Sequence, residues 1–527
     1  GALNLPGLHT LGHWLEHNGE YLHPRLCAGD VFQVMKYSDM GSIDLVFDQL
    51  LPGRRPPGIY QTTKIASSIS HAYAKKEGLA VCEVYGARGQ DLSYPEMKWV
   101  ADWLFAGGVN FLIPHSFNPR APRDTDCPPY FYNGGYEPRF PLYRVWADYS
   151  ARLSTMLSGG RHVCPVAIAY PGQAVHEGRA VTPEAITTGL QDALYDADWL
   201  PADVLAERVT VEGPVLRLNA EEYRVLVLPA TEVVPFETLA LAKRFYDAGG
   251  IVIACGSLPS KSGTLGRTAQ DIADVRAYIW GAEPRVALFP SRASAAGGKS
   301  FLLEESPTPE RWLSVLTAAG VRGVVESLDM EAVGRVRVLH RVRAGRDVFF
   351  LSNQDYAGAA RTFRLRFRTS GIPEIWDVMR NEPTRPADPH TTRDGVEFAL
   401  TLQPYESVLV AMSPEVRDLP VRGVLSEGTR LPLRVEPLDE PRPPALGTRE
   451  PWFEGANWLW AAEGDARTGV PPGDRFFRGT LDAPNPVSRV LVRVCADNAA
   501  VLYVNGEEAG RTSRWEEPRE FDVTALI

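Results

Sequence analysis

Glu83 and His115 are the side chains best placed for chemistry in the first third of the chain. Glu83 follows the apolar run Leu79-Ala-Val-Cys82, and His115 ends the run that begins at Gly108. Each run is typical of a strand, so each residue lies at a C-terminal strand end, where α/β barrels place their chemistry. A carboxyl group there can transfer protons, and an imidazole can donate hydrogen bonds.

A second group of polar side chains lies near the start, in Gly12-His-Trp-Leu-Glu-His17. His13 and His17 are four residues apart and, with Glu16 and His23, offer the donor atoms of a metal site. The spacing differs from the helical zinc-hydrolase motif, so hydrogen bonding is the favoured role of His13. We expect no cofactor, although calcium stays open because its oxygen ligands leave no spacing signal outside EF-hand loops.

The elements around Glu83 and His115 alternate short apolar runs with amphipathic helical patterns, which is typical of βα units over residues 1–165. Between the two runs a helix is predicted over 94–105, after the capping stretch Asp91-Leu-Ser93. Its apolar residues recur at helical spacing, so Trp103 is expected to pack in the core. Strand, helix and strand in this order imply parallel pairing.

A smaller, doubly wound α/β domain is predicted over 166–325. Its strands are expected at 165–170, 223–228 and 249–254, with helices at 184–196 and 235–247. The pair Gly249-Gly250 lacks the spacing that cradles phosphate, and is typical of a helix end before a strand. No nucleotide is expected at this sheet.

The remaining residues alternate with a period of two. This pattern predicts an antiparallel β-sandwich over 326–415 and a second one over 450–527, with Asn505-Gly506 as a hairpin turn. The stretch 416–449 is rich in Pro, Arg and Glu and is predicted to be a linker. A strand-like ending at Ile527, with no closing strand, suggests that the chain is cut short there.

Composition excludes several classes of protein. Of the 527 residues, 44% are hydrophobic and 23% are charged, which fits a folded multidomain chain. The net charge of -10 is spread along the sequence, with no basic run that could bind nucleic acid. The apolar runs fall far short of the about 20 residues that cross a bilayer. Six isolated cysteines are expected to be reduced, which favours a cytoplasmic over a secreted or periplasmic location.

Several segments resemble the bacterial α-L-rhamnosidase-like glycoside hydrolases. Those that resemble the last units of the family's barrel are Lys64–His71, Val81–Gly86, Lys98–Trp103 and Gly107–His115. Thr10–His17 and Gly41–Asp44 are similar to preceding barrel strands. Ala496-Asp497 and Tyr503–Gly506 resemble the jelly-roll sugar-binding module that these enzymes append.

The resemblance implies a multidomain α/β plus β fold. Its parts are the C-terminal portion of a (β/α)8 catalytic barrel (1–165), a flavodoxin-like or amidotransferase-like α/β domain (166–325), and two β-sandwich, jelly-roll-like domains. The first barrel strands are missing from this pattern, and the start at Gly1 lacks an initiator Met and a signal peptide, so we expect a processed or truncated start. Related barrel β-galactosidases carry a trimerisation domain, so a homo-oligomer is also allowed.

The resemblance also implies a carbohydrate or glycoside substrate and a pair of catalytic carboxyl groups. Glu83 is the first candidate, with a salt bridge to Arg88 as the structural alternative. Glu16 is the second, with substrate binding as its alternative. Residues proposed to bind the sugar through hydrogen bonds or stacking are His13, Trp14, His115, Phe117 and Asn118.

Two other functions remain open. One is a retaining β-galactosidase-type hydrolase, suggested by an α/β domain directly after the barrel. The other is a noncatalytic carbohydrate-binding protein with a degenerate half barrel. Hydrolysis of aryl α-L-rhamnosides against aryl β-galactosides separates the first from the rhamnosidase, and sugar binding without turnover identifies the second.

Overall fold

A computed structural model describes residues 10–13, 30–53, 61–74, 78–115, 117, 128–172, 174, 177–422, 489–494, 496, 499–513 and 519–526. The chain forms two compact units. The first comprises Gly1–Val84, Tyr94–Ile113 and Asp148–Thr429, and the second comprises Tyr85–Ser93, Pro114–Ala147 and Arg430–Ile527. Within the described residues the fold is mixed α/β with several separate sheets, and no helix is long and apolar enough to cross a membrane.

The described residues before residue 160 form four α-helices and a three-stranded sheet in the order β1-β2-β3. Its elements are α1 (Val31–Met35), β1 (Gly41–Val46), α2 (Thr63–Ala72), β2 (Ala80–Gly86), α3 (Tyr94–Ala106), β3 (Phe111–Pro114), the 3-10 turn Asn133–Gly135 and α4 (Phe140–Leu157). The predicted helix after Ser93 is thus present as α3, and Trp103 on it is buried, as its spacing indicated. The strand expected from Gly108 is shorter and begins at Phe111.

A six-stranded sheet in the order β14-β15-β12-β10-β5-β6 follows. Its strands pair in parallel except β14, which pairs antiparallel with β15. The elements of this region are β4 (Arg161–His162), β5 (Val166–Ala169), α5 (Glu184–Asp192), β6 (Ala197–Leu200), α6 (Ala202–Glu207), β7 (Thr210–Glu212), β8 (Val215–Leu218), β9 (Glu221–Tyr223), β10 (Val225–Leu228), β11 (Val233–Val234), α7 (Phe236–Asp247), β12 (Ile251–Cys255), β13 (Lys261–Ser262), α8 (Ala269–Trp280), β14 (Arg292–Ala293), β15 (Lys299–Leu303) and α9 (Pro309–Ala319).

Two predictions for this sheet need correction. The helix expected over 184–196 ends at Asp192, and Ala197–Leu200 is a fully buried strand. The strand expected over 223–228 is divided, because β9 belongs to a small antiparallel sheet and only β10 joins the parallel one. The Gly249-Gly250 pair does end α7 before β12, with Gly249 at φ 100° and the Gly250 N–H donating to the Phe245 carbonyl.

The next residues form two antiparallel sheets, in the orders β16-β19-β23-β22 and β21-β20-β24-β18-β17-β4. Phe349, Phe363 and Phe398 are among the buried side chains of their common core. The strands are β16 (Val325–Ser327), β17 (Val336–Arg343), β18 (Arg346–Asn353), β19 (Arg361–Phe367), β20 (Ile372–Asp377), β21 (Glu382–Thr384), β22 (His390–Thr392), β23 (Gly395–Leu402) and β24 (Ser407–Ser413). One strand was not expected here, since β4 pairs antiparallel with β17 although it precedes the parallel sheet.

A buried polar cluster fixes α3 and α4 to strand β24. The Lys98 ammonium lies 2.6 Å from an Asp102 carboxylate oxygen and donates to the Tyr405 carbonyl at 2.7 Å and the Ser407 hydroxyl at 2.9 Å. The Tyr149 hydroxyl contacts both Asp102 and Ser407. Because each polar atom in this group has a partner, the cluster can remain buried without an unpaired charge.

In the second unit, β25 (Leu491–Val494) pairs with β28 (Arg519–Asp522), and β26 (Ala500–Val504) pairs with β27 (Glu507–Thr512), both antiparallel. Asn505 and Gly506 connect β26 to β27 with φ 50° and 91°. Positive φ at both central residues is the requirement of the type I′ turn, so the predicted hairpin is confirmed. The described chain ends in a 3-10 turn, Thr524–Leu526, where a strand-like ending was expected.

Candidate functional site

Hydrogen bonds made by Thr10 and Gly12 hold the segment that ends in His13 beside strand β1. The Thr10 backbone N–H and hydroxyl both donate to an Asp39 carboxylate oxygen, at 2.6 and 2.9 Å. The Gly12 carbonyl, two residues after Thr10, accepts a hydrogen bond from the Ser42 hydroxyl at 2.6 Å. These bonds fix the backbone on both sides of Leu11, so the position of the His13 side chain is set by its attachment to β1.

Strand β2 carries Glu83 at its centre, and not at its C-terminal end, where it was expected. The buried Asn110 holds the start of that strand. The Ala80 N–H donates to the Asn110 side-chain oxygen at 2.9 Å, and the Asn110 N–H donates to the Ala80 carbonyl at 3.0 Å. Gly41 lets β1 approach helix α2, because a Cβ atom there would lie 2.3 Å from the Ala66 carbonyl oxygen. The strands that bear Asp44 and Glu83 are neighbours in one sheet.

His13 lies between two carboxylates. Its Nε2 atom is 3.1 Å from Glu83 Oε2, which is a hydrogen-bond distance, and its Nδ1 atom is 3.7 Å from Asp44 Oδ2. One oxygen of Asp44 and one of Glu83 lie within 4.8 Å of each other. The group therefore joins β1, β2 and the segment before them through charged and polar side chains.

The two carboxylates differ in their access to solvent. The Glu83 and His13 side chains are each 28% exposed, whereas that of Asp44 is 3% exposed. Glu83 and His13 are therefore accessible from solution, whereas Asp44 is not. Burial next to these acids also raises the pKa of the Cys82 thiol, chiefly by desolvation and then by the charges of Asp44 and Glu83.

The catalytic role of Glu83 stays a prediction, and the structure gives the described neighbours of Glu83 and of Arg88. The Arg88 guanidinium lies 3.6 Å from Asp91, and the described partner of the Glu83 carboxylate is His13. His13 was expected to bond a sugar hydroxyl, and here it bonds Glu83. Glu16, Trp14 and Asn118 lie outside the described residues, as do His17 and His23, so their predicted roles stay predictions.

His115 and Phe117 belong to the second unit. His115 follows β3 directly and is partly buried. Phe117 is 46% exposed and belongs to an aromatic cluster, stacked on Tyr132 with an angle of 11° and meeting Tyr143 edge-on at 5.0 Å. An exposed ring held by neighbouring rings could stack on a sugar face, so its predicted role is compatible with this placement.

Asp44 is the site residue that the sequence reasoning missed. The segment Gly41–Asp44 had been noted as a barrel strand, but its acid was not taken as a candidate for chemistry. All six residues of β1 are buried, so an acid in this strand needs a polar partner. An acid within an apolar strand was therefore the signal that could have identified Asp44. The sequence did not indicate its neighbour, because His13 lies on a separate segment.

The same three residues could also hold a cation. His13, Asp44 and Glu83 each offer one ligand atom, and these atoms lie within 4.8 Å of one another. One nitrogen and two carboxylate oxygens suit a divalent cation, although calcium takes oxygen ligands and would be bound through the carboxylates. The three described cysteines, Cys82, Cys164 and Cys255, are buried and form no disulfide, as expected.

Comparisons with known proteins point to one family. The family described as alpha-L-rhamnosidase matches residues 7–384 of the chain. A putative beta-glucuronidase of Formosa agariphila is 24% identical over 382 residues, which cover 70% of this chain and 29% of that protein. An alpha-L-rhamnosidase of Streptomyces avermitilis is 34% identical over 86 residues, 15% of this chain and 8% of that protein.

A solved structure extends the similarity over most of the fold. The rhamnosidase from Novosphingobium sp. PP1Y superposes with a TM-score of 0.58 at 18% identity, covering 94% of this chain and 46% of that one. The chain thus spans less than half the length of each of these three relatives.

Proposed function

Because the chain belongs to the alpha-L-rhamnosidase family, whose match spans residues 7–384, we propose that it forms part of the active site of a glycoside hydrolase. The proposed substrate is a terminal α-L-rhamnose-like sugar on an oligosaccharide or glycoside. The observation that carries the proposal is the His13–Glu83 pair, with Glu83 on strand β2 and the buried Asp44 on the neighbouring strand β1.

Glu83 is the proposed catalytic carboxylate. Its Oε2 atom lies 3.1 Å from His13 Nε2, close enough to accept a hydrogen bond from a ring N–H. An ionised carboxylate can activate water as a general base or attack the anomeric carbon as a nucleophile. His13 orients this carboxylate, and the buried Asp44 lies 3.7 Å from the opposite ring nitrogen, beyond hydrogen-bond distance.

Glycoside hydrolysis also needs a carboxylic acid that protonates the leaving oxygen. Asp44 does not suit this role, because its side chain is 3% exposed and cannot reach a glycosidic bond. Glu16, three residues after His13, remains the proposed acid. His115, Phe117, Trp14 and Asn118 remain proposed contacts to the sugar.

For the fold, we propose that the sheet β1-β2-β3 belongs to the C-terminal portion of a (β/α)8 barrel. We propose that the parallel sheet forms an amidotransferase-like α/β domain, followed by one β-sandwich and a jelly-roll-like module. The proposed barrel portion is supported by Glu83 and Asp44, which lie on adjacent strands of one sheet. Barrels gather side chains from distant segments in this way.

The test is hydrolysis by the purified chain and by Glu83→Gln. We expect release of aryl aglycone from an aryl α-L-rhamnoside, and a loss of about 10²–10⁴-fold in kcat with little change in KM for the variant. The matched control is Glu310→Gln, the same change at an exposed residue in the first turn of α9. Near-normal kcat in Glu83→Gln would remove Glu83 from the mechanism.

Aryl β-glucuronide and aryl β-galactoside belong in the same assay. The β-glucuronide is included because a relative is named a putative beta-glucuronidase, and the β-galactoside tests the alternative hydrolase suggested by domain order. If the chain hydrolyses either of these glycosides faster than the aryl α-L-rhamnoside, that glycoside replaces the rhamnoside as the proposed substrate. Binding of L-rhamnose, measured by calorimetry, without hydrolysis of any of the three glycosides would favour the noncatalytic carbohydrate-binding function.

A further inference from the structure

A second cluster of ionisable side chains lies buried in the first unit. Its members are drawn from helix α2 and strands β4, β6 and β9 or the residues beside them, and they are Lys64, His71, His162, Asp196, Asp198 and Glu221. Each is at most 7% exposed. Groups of this kind are costly to bury unless they are paired or coordinate a metal ion, so the arrangement needs an explanation.

Four ligand atoms in this cluster converge. His71 Nδ1 lies 3.0 Å from Asp198 Oδ2, and His162 Nδ1 lies 3.2 Å from Glu221 Oε2 and 3.7 Å from Asp198 Oδ2. All four residues offer atoms within 4.8 Å of one another. A tetrahedral zinc ion with bonds of about 2.0–2.1 Å separates its ligands by about 3.3 Å. The observed separations fall on both sides of that value.

We propose that His71, His162, Asp198 and Glu221 form a structural zinc site. Two imidazole nitrogens and two carboxylate oxygens are ligands that zinc accepts, and four protein ligands leave no position for a substrate. The burial of all four residues also favours a structural over a catalytic ion. The proposal is independent of the glycosidase function, because none of these residues belongs to the His13–Glu83 site.

The groups around the four ligands support this assignment. A histidine that binds metal usually donates its other ring N–H to a carboxylate. His162 does so, since its Nε2 atom is 2.8 Å from Asp196 Oδ2. The Tyr223 hydroxyl donates to Asp198 Oδ2 at 3.0 Å, and the Lys64 ammonium lies 3.3 Å from Asp198 Oδ1.

The charges of the cluster also fit a divalent cation. Two carboxylates, Asp198 and Glu221, offset the charge of a zinc ion held with neutral imidazoles. Lys64 and Asp196, 3.0 Å apart, offset each other. The charges of these six residues and one zinc ion therefore sum to zero. They also sum to zero without zinc when both imidazoles are protonated, so metal analysis has to distinguish the two states.

The proposed ion would cross-link segments that are remote in sequence. His71 and Asp198, for example, are 127 positions apart. A bond network through one ion would fix α2 against β4, β6 and β9. Loss of the ion should therefore lower the unfolding temperature of this unit, because binding free energy at such a site contributes to folding.

The experiment is a metal analysis of the whole chain, expressed with Zn²⁺ in the medium. We expect about one zinc per chain, retained through dialysis and released on unfolding in guanidinium, where a chromogenic chelator detects it. Asp198→Asn and His71→Asn should lose most of this zinc. Cobalt(II) incorporated instead should give the visible absorption bands of tetrahedral coordination.

Cys164→Ser is the matched control, because Cys164 belongs to a competing set with His162 and Asp196. We expect this variant to keep its zinc. Loss of zinc in Cys164→Ser, but not in Asp198→Asn, would overturn the assigned ligands. A wild-type chain that folds with less than a tenth of an equivalent of zinc, and whose unfolding temperature is the same with and without added Zn²⁺, would show that the cluster is an ion-pair network only.

Discussion

Replacing Lys98 by Met should cost far more stability than the same change at Lys243, although the two ion pairs have the same geometry. In both, a Lys ammonium lies 2.6 Å from an Asp carboxylate four residues further along a helix. They differ in burial: the carboxylate is 2% exposed in Asp102 and 35% exposed in Asp247.

The magnitude follows from what each substitution leaves behind. Lys98→Met leaves the Asp102 carboxylate buried with only hydroxyl partners, and breaking a buried pair in this way costs about 3–5 kcal/mol. Lys243→Met leaves an acid that water can solvate, so it should cost about 0.3–0.5 kcal/mol. Met keeps the apolar length of the Lys side chain, so the difference comes from the lost charge and from the hydrogen bonds that Lys98 donates to the Tyr405 carbonyl and the Ser407 hydroxyl.

The pH dependence provides an independent check. Burial already raises the pKa of Asp102, while the charge of Lys98 opposes the rise, so removing Lys98 raises this pKa further. At a pH between the pKa of Asp102 in the unfolded chain and its higher pKa in the folded variant, the folded state holds one more proton than the unfolded state. Each unit of decrease in pH in this range therefore raises the free energy of unfolding of the variant by about 1.4 kcal/mol. The deficit of Lys98→Met should therefore shrink by up to about 2.7 kcal/mol from pH 7 to pH 5.

Urea unfolding followed by tryptophan fluorescence, at pH 7 and pH 5, measures both effects. The wild type and Lys243→Met provide the references at each pH. Equal losses in the two variants, or a Lys98→Met deficit that does not change with pH, would refute the argument from burial.

Two predictions concern the candidate site. His13→Ala should lower kcat by about 10- to 150-fold, since a hydrogen bond to a charged group contributes about 1.5–3 kcal/mol, and His13→Gln should recover part of this by donating to Glu83. If His13 acts through Glu83, His13→Ala should cause little further loss in the Glu83→Gln background, and an equal loss in both backgrounds would mean that His13 acts independently. Calcium, if it binds at Asp44 and Glu83, should make activity sensitive to chelator and restorable by Ca²⁺. Unchanged activity after dialysis against chelator would exclude such a requirement.

Local patterns were sufficient to predict the elements that carry the site. Glu83 follows an apolar run in which β2 begins, so the strand itself could be predicted from neighbouring residues. The strand end could not, because β2 continues to Gly86 and Glu83 lies at its centre. The turn at Asn505-Gly506 could also be predicted, because its two residues are chosen by the backbone angles that they must adopt.

What could not be predicted depends on contacts between distant residues. Asp44 is a candidate only because His13 packs beside it, and no spacing in the sequence indicates that contact. The four residues of the proposed zinc site lie on separate segments, so they form no motif. Strand Ala197–Leu200 was not predicted, because a strand buried on both faces shows no alternation of polar and apolar residues.

The pairing of β4 with β17 has a consequence for dividing this chain into fragments. Val342 and Arg341 pair with Arg161 and His162, and the Arg341 guanidinium also donates to the Gly159 carbonyl. A fragment that starts after the parallel sheet would lack β4 and leave one side of β17 without its hydrogen-bonding partner. Open strand edges promote association between chains, so a recombinant fragment beginning near residue 326 should aggregate more readily than one that retains residues 159–162.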